Sequence, residues 1–175
     1  MQKILEWKGS VSEYKAGFKK LELEKPGKCG CGCVKYHKWG KYERYVIEEK
    51  AEYIIAVQRI CCVKCGKTIS YLPSFCVSKK SYSVNLIMAI LSALILKNRV
   101  ELGDRRRYAY VILRRFVGLE KLWLTFLRSK GFGDIPRVRK ERGVKIFTSL
   151  LKLHETKNIT SSFFGETGRH FMCEK

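Results

Sequence analysis

The fold of this chain is decided by two clusters of cysteine, which read Cys29-Gly30-Cys31-Gly32-Cys33 and Cys61-Cys62-Val63-Lys64-Cys65-Gly66. Each cluster places thiols close enough together to bind one metal ion. The two clusters are separated by about 30 residues, a length that suits a ribbon-type zinc site. Zinc requires four ligands in a tetrahedron, and thiolates are good ligands for it. The pattern therefore predicts one zinc ion held jointly by the two clusters.

The second cluster has the more regular spacing. Cys62-x-x-Cys65 followed by Gly66 is a standard knuckle, because the glycine lets the backbone turn tightly beneath the metal. Four thiolates would close the site and leave no open position for a substrate, so the predicted zinc is structural. The predicted ligands are Cys29, Cys31, Cys62 and Cys65.

The first cluster leaves its ligands open. It contains no Cys-x-x-Cys. We select Cys29 and Cys31 because Cys31 is followed by Gly32, just as Cys65 in the second cluster is followed by Gly66. Cys33 is the alternative ligand, and His37 could replace one of the cysteines.

The chain is strongly basic. Its 175 residues contain 36 Lys+Arg and 16 Asp+Glu, a formal net charge of +20. Such a charge opposes compaction unless a polyanion neutralises it, so nucleic acid is the leading partner and an anionic membrane surface the alternative. Eight cysteines without a signal peptide indicate a reducing compartment and metal binding rather than disulfides. The longest apolar run, residues 84–96, is too short to span a bilayer.

The region between and after the clusters predicts strands. Residues 45–47 and 53–57 are rich in β-branched and aromatic side chains and flank a polar turn, which indicates a hairpin. Residues 68–72 continue as a strand that Pro73 ends. Two knuckles that bracket antiparallel strands have the layout of a zinc ribbon, here preceded by an N-terminal arm that reads as a short strand or helix.

Beyond residue 80 the pattern is helical. Ser83 can cap a first helix over residues 84–98, and Asp104 can cap a second helix over residues 105–117. Residues 119–127 repeat apolar side chains at helical spacing and predict a third helix.

A fourth helix is expected to start at Asp134 and Pro136 and to run toward residue 157. The remaining tail is rich in Thr, Ser and Gly. The predicted fold is α+β, with an N-terminal arm and β-rich zinc ribbon (1–80), a basic α-helical bundle (81–157) and an irregular C-terminal tail (158–175).

A resemblance to a known family covers about 50 residues. It is carried by Pro26-x-x-Cys29, by His37-Lys38-Trp39-Gly40-Lys41-Tyr42-Glu43-Arg44, by Arg59-x-x-Cys62-Val63-Lys64-Cys65-Gly66-Lys67-Thr68 and by Leu72-Pro73-Ser74-Phe75. These motifs resemble zinc-ribbon proteins of unassigned function found among bacterial transposon and insertion-element genes, in which a helix-turn-helix-like region follows. The chain departs from that pattern in its shorter first knuckle and in Trp39, where the family tends to have His. The resemblance implies a helix-turn-helix-like bundle and a DNA-handling accessory or transposase-related protein of the bacterial cytoplasm.

The basic charge is concentrated in the predicted helices. Residues 105–145 hold thirteen basic side chains against three acidic ones. The start of the second helix, residues 105–108, is the best candidate for insertion into a groove, since recognition helices point that end at bases. Val111, Ile112 and Phe116 are expected to face the core.

The hairpin interleaves charge with aromatic side chains, a pattern that can stack on exposed bases while neutralising phosphate. The alternative is that these aromatics pack against the N-terminal arm. The predicted nucleic-acid contacts are Lys38, Lys41, Tyr42, Arg44, Arg105, Arg106, Arg107, Tyr108, Arg114, Arg115, Arg137, Arg139, Lys140 and Arg142.

The leading hypothesis is a non-catalytic, zinc-dependent nucleic-acid-binding protein that favours DNA over RNA, works with a mobile-element enzyme such as a transposase and has no small-molecule substrate. A small transposase or nuclease is the alternative, but such enzymes need two or three carboxylates to hold divalent metals. Asp104 and Asp134 are the only aspartates, and both are expected to cap helices. A third interpretation is an RNA-binding cofactor or inhibitor.

Overall fold

Strands occupy the N-terminal half of the chain and helices most of the remainder. The computed structural model describes residues 2–24, 26–96, 106–156 and 158–173. Its elements are β1 (Gln2–Leu5), α1 (Val11–Gly17) with a short 3₁₀ helix after it (Phe18–Lys20), β2 (Tyr36–Ile47), β3 (Glu52–Cys62), β4 (Thr68–Pro73), α2 (Val84–Ile95), α3 (Arg106–Gly118), α4 (Glu120–Ser129), α5 (Arg139–Thr156) and α6 (Ile159–Thr167). The fold is α+β, as predicted.

The four strands form one mixed sheet in the order β1-β4-β3-β2. β2 and β3 form the predicted hairpin, which extends to the pair Tyr36 and Cys62. β4 runs antiparallel to β3, and β1 joins β4 in parallel. The hairpin register shifts between Lys38 and Gly40, where the φ of +117° at Gly40 suits a residue without a Cβ. β2 is therefore a bulged edge strand whose first residues adjoin the first cysteine cluster.

The N-terminal arm contains both a strand and a helix. Ser10 caps α1, because its side chain accepts a hydrogen bond from the backbone N–H of Glu13 while the Glu13 carboxylate accepts one from the N–H of Ser10. Tyr14 of α1 is fully buried, and its hydroxyl donates to the carbonyl of Ala56 on β3 at 3.0 Å. This helix therefore closes one face of the sheet.

The first predicted helix is α2. The Ser83 side chain accepts a hydrogen bond from the N–H of Leu86 at 3.1 Å, which confirms the predicted cap. The predicted extension to residue 98, the cap at Asp104 and the helix start at Arg105 lie outside the described residues. α2 has 12 residues. Within the described part of the chain, no helix has the length and apolar character needed to cross a membrane.

The helices pack around aromatic side chains. Trp123 of α4 is fully buried, and its indole N–H donates to the carbonyl of Phe116 at 2.9 Å. The Trp123 ring lies 4.8 Å from that of Phe163 and 5.3 Å from that of Phe171. α4 confirms the third predicted helix, whose apolar stripe supplies this core.

The fourth helix starts later than predicted. α5 begins at Arg139, and its first turn is closed by the Arg142 N–H donating to the Val138 carbonyl at 2.9 Å. Pro136 disfavours helical backbone at the residue before it, and the chain stays non-helical as far as Val138. Asp134 is exposed and does not begin the helix, so its predicted capping role is wrong.

The prediction of an irregular tail is wrong for residues 159–167, which form α6. The Asn158 side chain caps this helix by accepting hydrogen bonds from the N–H groups of Thr160 and Ser161. Phe163 and Phe171 are buried at 0% and 1% exposure, so the tail completes the helical core. The Thr-, Ser- and Gly-rich composition of this segment led to the prediction of an irregular tail, although these two phenylalanines are buried.

Hydrogen bonds join the sheet to the helices. The Thr160 hydroxyl donates to the Ser74 carbonyl at 2.6 Å, and the Cys173 thiol lies 3.0 Å from the Ser78 carbonyl. These contacts tie the C-terminal segment to the stretch that follows β4. The division of the chain at residue 80 stays a prediction.

Candidate metal centre and basic surface

The first cysteine cluster folds into a tight turn. The Gly32 N–H donates to the Cys29 carbonyl at 2.7 Å, and the Cys29 N–H donates to the Cys33 carbonyl at 2.8 Å. Gly32 has a φ of +83°, a conformation that favours glycine. This turn places the thiols of Cys29 and Cys31 just before β2.

The second cluster forms the turn between β3 and β4. The Gly66 N–H donates to the Cys62 carbonyl at 3.0 Å, and the Cys62 N–H donates to the Lys67 carbonyl at 3.0 Å. Gly66 has a φ of +69° and plays the part that the sequence assigned to it. The Val63 N–H also donates to the Lys35 carbonyl at 3.2 Å, which ties this turn to the first cluster.

The two turns bring four thiols together. The sulfurs of Cys29, Cys31, Cys62 and Cys65 all lie within 4.8 Å of one another. The Sγ atoms of Cys29 and Cys65 are 3.6 Å apart, and those of Cys31 and Cys62 are 3.7 Å apart. These four cysteines could hold a metal ion, and they are the four that the sequence selected.

The two alternative ligands lie outside this group. The Cys33 thiol instead accepts a hydrogen bond from the Lys35 N–H at 3.4 Å. His37 is exposed on β2 and meets the ring of Trp39 edge-on at 5.7 Å. Neither side chain belongs to the metal-ligand group found among the described residues.

Backbone hydrogen bonds prepare the thiols for a metal. The pKa of Cys62 is lowered to about 6, chiefly because the backbone N–H of Cys65 donates to its sulfur. The backbone N–H of Cys31 likewise lowers the pKa of Cys29. For Cys65, the backbone N–H of Lys67 lowers the pKa, but desolvation and three neighbouring thiols outweigh it and raise the pKa to about 12. Because metals bind thiolates, the backbone donors at Cys29 and Cys62 favour the form of these two side chains that can bind a metal.

The predicted contacts in the hairpin divide into two kinds. Lys38 and Lys41 are exposed. Tyr42 packs with the buried cluster beneath the sheet. The Arg44 guanidinium donates to the backbone carbonyls of Val77 and Lys80, the latter at 2.5 Å. Arg44 therefore fastens β2 to the segment after β4.

The predicted contacts on α3 divide in the same way. Tyr108 stacks on Tyr82 with ring centroids 3.8 Å apart, and burial raises its pKa to about 12. Arg105 falls outside the described residues. The exposed arginines of this helix are Arg106, Arg107 and Arg114.

The inner face of α3 differs in one position from the sequence expectation. Val111 is 53% exposed, so its predicted place in the core is wrong. Ile112 and Phe116 are buried as predicted, and Ala109 completes the stripe. Residues 109, 112 and 116 share one side of a 3.6-residue helix, which turns Val111 outward and leaves Arg115 half-buried at the margin.

The segment before and within α5 supplies the last group of predicted contacts. Arg137, Arg139 and Lys140 are exposed. Arg142 pairs instead with Glu120 of α4, its Nε lying 2.5 Å from the carboxylate. Its charge is therefore shared with an acid, while the other three cations face solvent.

A cleft of about 770 Å³ opens between the loop after β1 and the starts of α2 and α6. Its described lining includes Lys8 but also Glu6 and Glu155, so its charge does not suit a polyanion. His154 lies there with its Nε2 2.9 Å from the Asn85 Oδ1, and desolvation lowers its pKa. The cleft is thus separate in character from the basic surface.

Residues 28–108 of the chain match a family described as a domain of unknown function, DUF6431. The matched region contains both cysteine turns, the hairpin, β4 and α2 and ends inside α3. No significant match was found among curated proteins or among solved structures. The resemblance to mobile-element zinc-ribbon proteins stays a prediction.

Proposed function

We propose that this protein is a non-catalytic nucleic-acid-binding protein that depends on a structural zinc ion and favours DNA over RNA. The observation that carries the proposal is the exposure of most of its predicted cationic contacts in a chain of net charge +20. Eight of them project into solvent: Lys38, Lys41, Arg106, Arg107, Arg114, Arg137, Arg139 and Lys140.

Zinc is the metal that we propose for the thiol cluster. A tetrahedral site with Zn–S bonds of about 2.3 Å has S–S edges of about 3.8 Å, and two edges of the cluster measure 3.6 and 3.7 Å. Four soft thiolates also favour zinc over hard cations such as magnesium. Zinc bound by Cys29, Cys31, Cys62 and Cys65 would act as a structural cross-link with no open coordination position.

The metal site supports the function through the hairpin. The two cysteine turns lie at the start of β2 and at the end of β3, which pair with each other, so one ion would hold the open end of this hairpin together. The exposed side chains of Lys38 and Lys41 lie within β2, a few residues beyond the first cysteine turn. Metal binding would thus order a cationic strand without taking part in a reaction.

Binding to a DNA duplex tests the proposal directly. The zinc-loaded protein should bind a fluorescent duplex in an anisotropy titration, with an affinity that falls by roughly 10³-fold or more between 50 and 200 mM salt if six or more phosphates are contacted. No binding at low salt would overturn the proposal.

A matched pair of triple variants locates the surface. Changing Arg137, Arg139 and Lys140 to Gln should reduce the slope of log affinity against log salt by about 2.7, because each lost phosphate contact contributes about 0.9. The control changes Lys15, Lys19 and Lys20, which are also exposed, to Gln. Equal losses in both triples would mean that overall charge, and not this surface, binds DNA.

An unpaired strand is a second candidate ligand, favoured by one observation. Trp39 is 54% exposed on the bulged part of β2, beside His37 and between Lys38 and Lys41. Exposed aromatics among cations stack on unpaired bases. Competition between duplex DNA, single-stranded DNA and RNA, repeated with Trp39→Ala, decides between the candidates. On the resemblance alone, the protein partner we propose is a mobile-element enzyme.

A further inference from the structure

The outward face of α3 is a continuous arc. At 100° per residue, the exposed residues of this helix span about 140° of its circumference. The arc contains Arg106, Arg107, Tyr110, Val111, Arg114, Val117 and Gly118, all of which are exposed. Tyr110 and Arg114 lie near its centre.

This arc is unusually apolar for a solvent-facing helix surface. Tyr110 is 67% exposed, Val111 53% and Val117 41%. The opposite side of a surface helix is ordinarily charged or polar, and a cluster of exposed apolar side chains marks an interaction site. Three arginines share the arc, and it holds no acidic residue.

The packing of α3 fixes which way the arc points. Ala109, Ile112 and Phe116 anchor the inner face in the core. Tyr108 stacks on Tyr82 at one margin with nearly parallel rings, 21° apart. The helix therefore cannot rotate to hide its apolar residues without breaking these contacts.

We infer that α3 is inserted into the major groove of a DNA duplex, where Tyr110, Val111 and Arg114 read base edges. This inference rests on the proposed function and names the residues that would give it sequence preference. The major groove is about 12 Å wide and admits a helix; it offers thymine methyl groups to apolar side chains and guanine O6 and N7 to arginine. Arg106 and Arg107, near the helix N-terminus, would contact the flanking phosphates.

The charge of the arc favours this occupant over a protein. An Arg-rich face on a chain of net charge +20 favours a polyanionic partner, and a second copy of the chain would be repelled. The combination of arginine with valine and tyrosine matches a surface that alternates phosphates with methyl groups. A purely phosphate-binding helix would gain nothing from Val111 and Tyr110.

Selection from a randomised duplex library supplies the test. The wild-type protein should enrich a preferred site that contains at least one thymine and one guanine. Arg114→Gln should weaken binding to that site by roughly 10- to 100-fold, and binding to a scrambled duplex only a few-fold. The matched control Arg128→Gln, an exposed arginine on α4, should leave the ratio between the two duplexes unchanged.

Deoxyuridine sharpens the assignment of the apolar contacts, since it removes only the thymine methyl group. Replacing the thymine in the preferred site should weaken wild-type binding, and Val111→Ala or Tyr110→Ala should abolish that sensitivity. Tyr45→Ala, which alters another strongly exposed tyrosine, on β2, should leave the sensitivity intact.

The outcomes separate the inference from the proposed function. If the wild-type protein binds duplexes without preference, or if Arg114→Gln weakens all duplexes equally, the inference fails while the proposed function stands. The inference also fails if Tyr110→Ala and Val111→Ala leave DNA binding intact but change self-association in sedimentation. A wild-type protein that binds no duplex overturns the proposed function itself.

Discussion

The cysteine end of the sheet and the helical bundle are held together by different means. Beside the cysteine turns, the buried apolar cluster consists of Ile60, Ile69 and Tyr71. The bundle has a far larger core built around Trp123, with aromatic residues from several helices. A small region that cannot bury enough apolar surface needs a cross-link, and a metal can supply it. Zinc would therefore stabilise one end of this protein and leave the other largely independent.

Removing one metal ligand should produce the largest effect, and it tests whether the cysteine end and the bundle are independent. Cys62→Ser should lose the bound metal, because a structural zinc site needs all four ligands. The effect should be large, since zinc binding contributes about 10–16 kcal/mol to the folding free energy of small zinc-finger peptides. Hydrogen exchange should then accelerate at residues 28–38 and 60–68, while α4 and α5 keep their protection. Metal content per chain and exchange detected by mass spectrometry measure both parts.

The matched control is Cys61→Ser. Cys61 is buried beside the site, but its thiol lies 3.3 Å from the Gly66 carbonyl and is not part of the ligand group. This variant should retain its metal. Loss of protection throughout the helices in Cys62→Ser would show that the two regions unfold as one.

The second-largest effect is the loss of stability expected when a core residue of the bundle is truncated. Trp123→Ala should reduce the free energy of unfolding by about 3–5 kcal/mol, since it empties a fully buried site and removes the indole hydrogen bond to the Phe116 carbonyl. The control Trp39→Ala removes a 54% exposed indole and should cost about 0.5 kcal/mol or less. Urea unfolding measures both changes, and Trp123→Ala should keep its metal content. Similar losses in the two variants would contradict the placement of the core.

The sequence predicted the cysteine end better than the bundle. Knuckle glycines carry a backbone signal that is local, and Gly32 and Gly66 both adopt the positive φ that the pattern required. The succession of the hairpin and β4 also followed from local signals, namely the polar turn between β2 and β3, the second cysteine turn and Pro73. The parallel pairing of β1 with β4 did not, because it joins residues that are about 70 positions apart in the chain.

The errors in the bundle arose where tertiary packing decides. Val111 and Ile112 are both apolar, but the buried stripe consists of Ala109, Ile112 and Phe116, which leaves Val111 on the outer side. α6 escaped notice because Phe163 and Phe171 anchor a segment of otherwise polar residues. Arg44 reads as a nucleic-acid contact in a basic strip, yet its partners are carbonyls more than thirty residues away.

The third effect concerns Arg44, which ties β2 to the segment between β4 and α2. Arg44→Gln should reduce the free energy of unfolding by about 1–3 kcal/mol, because the carbonyls of Val77 and Lys80 lose a charged donor. Lys41→Gln, on the same strand but exposed, should change stability by about 0.5 kcal/mol or less and instead lower duplex affinity at low salt. If Arg44→Gln weakens DNA binding without loss of stability, the side chain acts on the ligand and not on the fold.

The smallest effect resolves the first cysteine turn. In the second turn the Cys62 carbonyl accepts a hydrogen bond from Gly66, four residues on; in the first, the Cys29 carbonyl accepts one from Gly32, only three residues on. The shorter loop still delivers two thiols, because its glycine occupies the corresponding place after Cys31. Cys33 comes after the turn has closed, and its thiol is directed to the backbone of Lys35.

Cys33→Ser should therefore keep one metal ion per chain and change the free energy of unfolding by about 0.5 kcal/mol or less. Cys31→Ser should lose the metal, as Cys62→Ser does, because it removes one corner of the four-thiol group. Metal analysis of the two purified variants makes the comparison. Loss of metal in Cys33→Ser with retention in Cys31→Ser would show that Cys33, and not Cys31, is the ligand. It would also contradict the argument that a glycine must follow the second thiol of each turn.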